Sequence, residues 1–439
     1  MRPRIPIIDD LGISRPFRIT IDASLFLLSL WSLERSADGF VDSAAVIGKR
    51  CGVPTVLVGL LTAGGEWEEL VVVVSSLITN NSALTLSNTF GSSTANILGS
   101  FSIGLVFANF TAVESPASSL FRGSGGAQRL RASETLSERI YTSALVVLTL
   151  FIVFVGPLWD YIQAKDRRKH HRALTSLGAG RWVGIVLVTA FVVYVACIAY
   201  GIYRGVLVAP EGSDSDTSDT SDGDTTDTAE EDAMEDDTTF EYRVRAGNRD
   251  RRRARNAQRA AEWTATESAP LLPPQRALAR RKSTFQIVYR LVISTLLLSL
   301  SGYILSATAA SLAEQCHVSE TTVGLTLLSI GTTLPEKLVA YKSARKGERG
   351  VLVANTVGSN IFLQTLVLGV IWLVRGHVDF GIGRNNGLWV DVAVVLASSV
   401  VLLVVVWFGL FRRWIGFALF VGYVAYIASV VATGRVDLD

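Results

Sequence analysis

The chain has only three cysteines among 439 residues, Cys51, Cys197 and Cys316, with neither a CxxC pair nor an even count. That argues against a disulfide framework or a thiolate metal site and leaves core or loop thiols. Histidine is nearly as scarce: His170, His171, His317 and His377 all fall at expected helix ends or loops. A histidine proton relay is therefore not expected, and any proton path falls to carboxylates. No P-loop, HExxH motif or paired general acid and base is visible, so the chain reads as no enzyme, and no cofactor is expected. Residues Met1 to Arg18 carry Arg2, Arg4, Arg15 and Arg18 without a compact apolar stretch, so no cleavable signal peptide is expected. Charge of one sign is missing too: 41 Lys and Arg against 39 Asp and Glu leave +2, and no nucleic-acid partner is expected.

What the chain has is apolar length. It is 49% apolar, although a long stretch around residues 210–283 is strongly polar. Runs at Ser143 to Val155, Val183 to Gly201, Leu291 to Leu312 and Val392 to Leu410 approach the roughly 20 residues that a spanning helix needs. The pattern predicts helices near 21–47, 54–78, 83–108, 141–162 and 181–206, then near 286–315, 319–344, 350–374, 389–410 and 413–433. The fold class is an all-α polytopic membrane protein embedded in a lipid bilayer, with ten transmembrane helices as two inverted five-helix repeats. An odd number of spans per repeat makes the second copy enter the membrane upside down. The domains are a tail over 1–20, a first repeat over 21–208, a charged cytosolic loop over 209–284, a second repeat over 285–434 and a tail over 435–439.

The first helix is the weakest of these, because Ala23 to Leu33 is short and Glu34, Arg35, Asp38 and Asp42 follow. Glu34, Asp38 and Asp42 share a helical face, either a water-facing helix end or a wet vestibule that collects cations. In the loop, Glu211 to Glu241 is acidic and Arg243 to Arg259 basic; neither block has enough apolar surface to fold. Weak calcium sensing or attraction to anionic lipid are alternatives to a plain solvated linker. The segment Glu267-Ser268-Ala269-Pro270-Leu271-Leu272 fits an acidic dileucine pattern, a possible adaptor-binding site. It favours a eukaryotic endomembrane or vacuole-type membrane over a plasma membrane. Basic residues at Lys49/Arg50, Arg122 to Arg139, Lys342 to Arg349 and Arg412/Arg413 place their side, and the loop, in the cytosol. The N-terminal arginines and Lys165 to Arg172 fall opposite.

The most informative pattern is duplicated. Glu69 is followed by Asn88, Gly91 and Ser92; Glu336 is followed by Asn355, Gly358 and Ser359. The differences 336−69, 355−88, 358−91 and 359−92 are all 267. An intramembrane carboxylate is costly and marks function by default. Paired interrupted segments in two halves point to a transporter site near the bilayer midplane. Glycines 64, 65 and 331 allow a break in each helix. Thr332, Thr333 and Glu336 then converge at i, i+1 and i+4, and Glu66 joins Glu69 at i, i+3, with Glu68 turned about 100° away. Carboxylates, hydroxyls and carbonyls are ligands for hard cations such as calcium or sodium. Beside each, Asn88 to Ser92 and Asn355 to Ser359 let two helices approach and share hydrogen bonds, either as packing alone or as the second wall of a site.

The stretch Gly331-Thr332-Thr333-Leu334-Pro335-Glu336, with Val357-Gly358-Ser359-Asn360-Ile361-Phe362, resembles the second α-repeat of the sodium/calcium exchanger family, within the cation/calcium antiporter superfamily. The likeness is specific over residues 323–369 and weaker over 53–99. It implies ten helices, a central cytosolic loop, and calcium moved against sodium, sometimes potassium or protons, by alternating access. The first helix of each half would move across a fixed site. It implies Glu69 and Glu336 as essential carboxylates, with Thr332, Thr333, Ser92 and Ser359 as ligating hydroxyls and Asn96 as a further polar ligand. Two rivals stay open: a monovalent cation/proton exchanger on the same fold, and a non-transporting sensor or scaffold.

The chain departs from the family pattern in four places. Gly65-Glu66-Trp67-Glu68 stands where the family has Thr-Ser-Leu-Pro; Leu363 replaces an Asp or Asn; Ser93 replaces an asparagine; Lys337 takes an apolar position. We expect Glu66 to restore the charge that Leu363 cannot supply, and two carboxylates on adjacent turns favour proton coupling. The alternative has Glu66 and Glu68 facing a wet crevice and binding nothing. Lys337 lies about 100° from Glu336 and is expected to snorkel toward the cytosol rather than form an internal ion pair.

Overall fold

The structure is a computed structural model that describes residues 15–51, 66–79, 81–108, 135–155, 176–204, 284–376, 378 and 387–434. Gly64, Gly65, the charged loop, the dileucine-like segment, Arg122, Arg129, Arg131 and Lys165 to Arg172 lie outside these. Every described regular element is helical. We label them α1 (Arg15–Arg50), α2 (Trp67–Ile78), α3 (82–106), α4 (Thr135–Val155), α5 (Ser176–Tyr203), α6 (Thr284–Cys316), α7 (320–332), α8 (Leu334–Lys346), α9 (Arg349–Arg375), α10 (Trp389–Trp407) and α11 (Arg413–Thr433).

The first helix is long, although it remains the least apolar of the candidate spans. α1 runs for 36 residues; α6 pairs with polar residues along it, while Glu34, Arg35 and Asp38 stay exposed. Asp22 is buried and accepts from Ser311 Oγ at 2.6 Å and from the Gln315 amide. Ser301 Oγ donates to Ser32 Oγ at 2.8 Å, and Arg290 meets Asp42 at 3.2 Å. Rising numbers in α1 meet falling numbers in α6, so the two helices are antiparallel. Between these contacts Phe26, Leu33 and Ala37 pack with Leu298, Leu305 and Leu312.

Seven helices, α1, α4, α5, α6, α9, α10 and α11, are long and apolar enough to cross a membrane, among the described residues. The ten expected from sequence are not all of that kind. α3, α7 and α8 fall short because they are broken or rich in Ser, Thr and Asn, and α2 is described only from Trp67; these are the helices that carry the repeated motif. α5 and α6 turn Trp182, Val192, Phe285 and Leu296 outward, a surface suited to lipid rather than water.

Three helices contain a π turn, at Ala95–Phe101 in α3, Gly324–Leu328 in α7 and Leu363–Val367 in α9. Such single wide turns re-aim side chains and gather at functional sites. The offset of 267 extends to the elements themselves. Trp67 and Ser82 plus 267 give 334 and 349, where α8 and α9 start. The α3 π turn maps to 362–368, onto that of α9. Thr135 plus 267 gives 402, inside α10, so the common register ends after the third helix.

Candidate functional site

Glu66 caps the N-terminus of α2, where its carbonyl accepts from Leu70 N at 3.2 Å. One turn on, Glu69 points at α3. Both are nearly inaccessible, at 3% and 1% exposure. On α3, Asn88, Ser92 and Asn96 recur every fourth residue and form a ladder facing them. Asn88 donates its amide to Glu69 Oε2, Ser92 Oγ donates to Glu69 Oε1 at 2.6 Å, and Asn96 Nδ2 donates to Glu66 Oε1 at 2.8 Å. The π turn begins at Ala95 and re-aims the last rung. A buried carboxylate without such charge-assisted bonds would be prohibitively costly.

The second half supplies the opposite wall. The Thr332 hydroxyl lies beside Glu69, the Ser359 hydroxyl lies beside Glu66, and Glu336 stands near enough for its charge to interact with Glu66, Glu68 and Glu69. Thr332 and Thr333 donate their hydroxyl protons to Leu328 O at 3.0 Å and Ser329 O at 2.6 Å, which leaves their oxygens as acceptors. The halves are not equivalent: neither Asn355 nor Ser359 makes to Glu336 the bond that Asn88 and Ser92 make to Glu69. Asn355 is half-buried with an unpartnered Nδ2. Glu68 lies within electrostatic reach of Glu69 and of Asp38 and Glu34 on α1.

Four buried oxygens of these carboxylates and their asparagine partners accept no hydrogen bond, Glu66 Oε2, Glu336 Oε2, Asn88 Oδ1 and Asn96 Oδ1, and Asn360 Oδ1 on α9 is likewise buried and unpartnered. Buried acceptors are ordinarily paired, and each exception calls for an explanation. Oxygen acceptors in excess of donors are the chemistry of a hard-cation site. Among the described residues no three carboxylate, imidazole or thiolate groups close to metal-binding distance. A cation here would therefore take few carboxylates at once, with amide, hydroxyl and carbonyl oxygens making up its shell.

Asn360 was not among the expected ligands, yet the repeat points to it. Ser93 plus 267 is 360, and Ser93 Oγ is likewise fully buried and unpartnered. Lys337 follows neither expectation. It does not snorkel away and makes no ion pair among the described residues; its Nζ turns back to the helix break and donates to Thr333 O at 3.1 Å, to Ile330 O at 3.4 Å and to the Thr333 hydroxyl. The stem is long enough to fold back onto the oxygens at the break.

Gly91 of the motif, with Gly324 opposite it, makes a close approach. A Cβ on Gly91 would lie 2.8 Å from Ser329 Cβ and 2.9 Å from Leu325 Cα, and one on Gly324 would meet Ser87 and Asn88. α3 and α7 thus cross backbone to backbone, which fixes Asn88 and Ser92 against the second half.

Apolar spans wrapped around buried carboxylates and surplus oxygens define an integral membrane protein with a polar, oxygen-lined interior site. The sodium/calcium exchanger protein family matches residues 22–200 and 287–432, and the chain belongs to that family. The interval between the matched stretches contains the whole charged loop. Among relatives, inner membrane protein YrbG of Escherichia coli (strain K12) is 38% identical over 91 residues, covering 20% of this chain and 28% of that protein. Sodium/calcium exchanger MaX1 of Methanosarcina acetivorans is 31% identical over 141 residues, covering 31% and 39%. Human sodium/potassium/calcium exchanger 5 is 34% identical over 94 residues, covering 21% and 18%. The aligned stretches thus span well under two thirds of these relatives. Of solved structures, native YfkE aligns with a TM-score of 0.48 at 13% identity over 94% of this chain and 91% of that one. The exchanger NCX_Mj aligns with a TM-score of 0.43 at 17% identity over 94% and 99%.

Proposed function

We propose that the chain is a secondary antiporter that carries calcium against sodium or protons by alternating access, with the cation bound between Glu69 and Glu336. The observation that carries this reading is the surplus of buried oxygen acceptors around three carboxylates, Glu66, Glu69 and Glu336, contributed by both halves. The ligands would be Glu66, Glu69, Glu336, Thr332, Thr333, Ser92, Ser359, Asn88 and Asn96, with Asn360 added. Asn355, without a bond to Glu336, is the weakest member. Family membership and the relative named a sodium/calcium exchanger support calcium as cargo. The duplicated register and the antiparallel α1 and α6 support two inverted repeats of five helices, with α1 and α6 moving together across the site.

A monovalent cation/proton exchanger is the second reading, favoured by Glu66 standing where the family has a hydroxyl and by Lys337 beside the site. The preference for a eukaryotic endomembrane gains no support, since bacterial, archaeal and human relatives all match and the dileucine-like segment is outside the described residues. Calcium flux into vesicles, measured separately under sodium, potassium and proton gradients, separates the readings. Calcium movement driven by one of them supports the antiporter; monovalent exchange alone supports the second reading, and no flux under any gradient leaves a sensor or scaffold.

A further inference from the structure

Lys337 puts a fixed positive charge into the site just described. Its ammonium is held by three oxygens around the one-residue break at Thr333: Thr333 O, Thr333 Oγ1 and Ile330 O. A compact point charge with three donors, ringed by carbonyl and hydroxyl oxygens, occupies its surroundings as a dehydrated monovalent cation would. The stem is confined as well. A Cβ built on Gly99 of α3 would lie 3.6 Å from Lys337 Cε and 3.4 Å from the Tyr423 ring of α11, both ordinary contact distances, so the stem runs along α3 at Gly99.

The charges that act on Lys337 are Glu336 on its own helix and Glu66 and Glu69 on α2. α3 and α11 contribute only the Gly99 surface and a neutral phenol ring at this point. The ammonium supplies at these oxygens the single positive charge that a free monovalent cation would otherwise bring.

We propose that Lys337 is a tethered cation: its ammonium fills one monovalent-cation position of the site, so the protein binds one fewer free monovalent cation than its oxygen set would otherwise hold. The inference rests on the cation-exchange reading above and adds a determinant of stoichiometry to it. A lysine that merely braced the helix break would affect folding without altering the number of ions bound.

The test counts ions on the purified full chain in detergent, by equilibrium dialysis with radioactive sodium. Lys337→Met is expected to bind one more sodium per chain than the unsubstituted protein, whereas Lys337→Arg, which keeps the charge, binds the same number. Should Lys337→Met fail to give a monodisperse folded protein, Lys337→Gln carries the same comparison. In vesicles, the reversal potential of calcium exchange is expected to shift toward one additional counter-ion per cycle in the neutral variant. Equal sodium counts in the neutral and unsubstituted proteins overturn the proposal and leave the exchange reading standing. Failure of the unsubstituted protein to bind calcium or sodium, and to transport either, overturns both.

Discussion

A methyl group added at Gly91 strikes the point where α3 and α7 cross. The new Cβ would sit 2.9 Å from Leu325 Cα, a backbone atom, whereas ordinary contact begins at 3.4 Å; the helices must separate by about 0.5 Å, the difference of those distances. Overpacking of this kind costs about 1–3 kcal/mol, a factor of about 5 to 150 in the population of the close-packed arrangement. Asn88 and Ser92 flank the glycine and hold Glu69, so the displacement falls on the carboxylate as well as on stability. Gly91→Ala is therefore expected to lower the melting temperature in detergent and to cut initial calcium uptake by reconstituted vesicles about tenfold, a shift of about 1.4 kcal/mol. Gly422→Ala is the control, because nothing lies within 4 Å of its Cβ and alanine favours a helix interior over glycine. Wild-type melting and uptake in Gly91→Ala would refute the backbone-to-backbone crossing.

Ser92→Ala removes the 2.6 Å bond to Glu69, a bond to a charged group worth about 1.5–3 kcal/mol. The calcium concentration for half-maximal uptake should rise about ten- to a hundredfold, and an unchanged value would exclude Ser92 from the site. Glu66→Gln keeps the shape but loses the charge that we assign to the compensation for Leu363; apparent calcium affinity should fall and the pH profile of transport change, and retention of both would contradict that role. Arg349 meets the buried Glu138 through two nitrogens at 2.6 and 3.3 Å and stacks 4.3 Å over Phe411. Arg349→Ala strands that carboxylate, which costs about 3 kcal/mol or more. A large fall in melting temperature is expected, and none would mean that the pair is dispensable.

Most helix positions were legible because apolar length and the 267-residue register fix them. Ser82 and Arg349 open corresponding helices, and α11 begins and ends where the apolar run does. The extent of α1 was not legible, because its acidic face looked like a helix end; of that face Asp42 meets Arg290 of α6, and Ser311 and Gln315 hold Asp22 earlier in the helix. Long-range pairing of that kind leaves no local pattern. The duplicated motif exposed Glu69, Asn88 and Ser92, which the fold brings into direct contact. It did not distinguish the bonded Asn88 from the unbonded Asn355, since identical spacing says nothing of unequal neighbours. Lys337 was readable only as an angle on a helix. A flexible four-carbon stem reaches either a headgroup or the carbonyls of a broken turn, and the break decides between them.

The account stands on two glutamates acting on one cation. The most direct measurement is calcium uptake by vesicles containing the full chain, compared with Glu69→Gln and Glu336→Gln variants verified as folded and inserted. We expect gradient-driven uptake in the unsubstituted protein and its loss in each variant alone. Uptake at the unsubstituted rate in either variant would contradict the shared site.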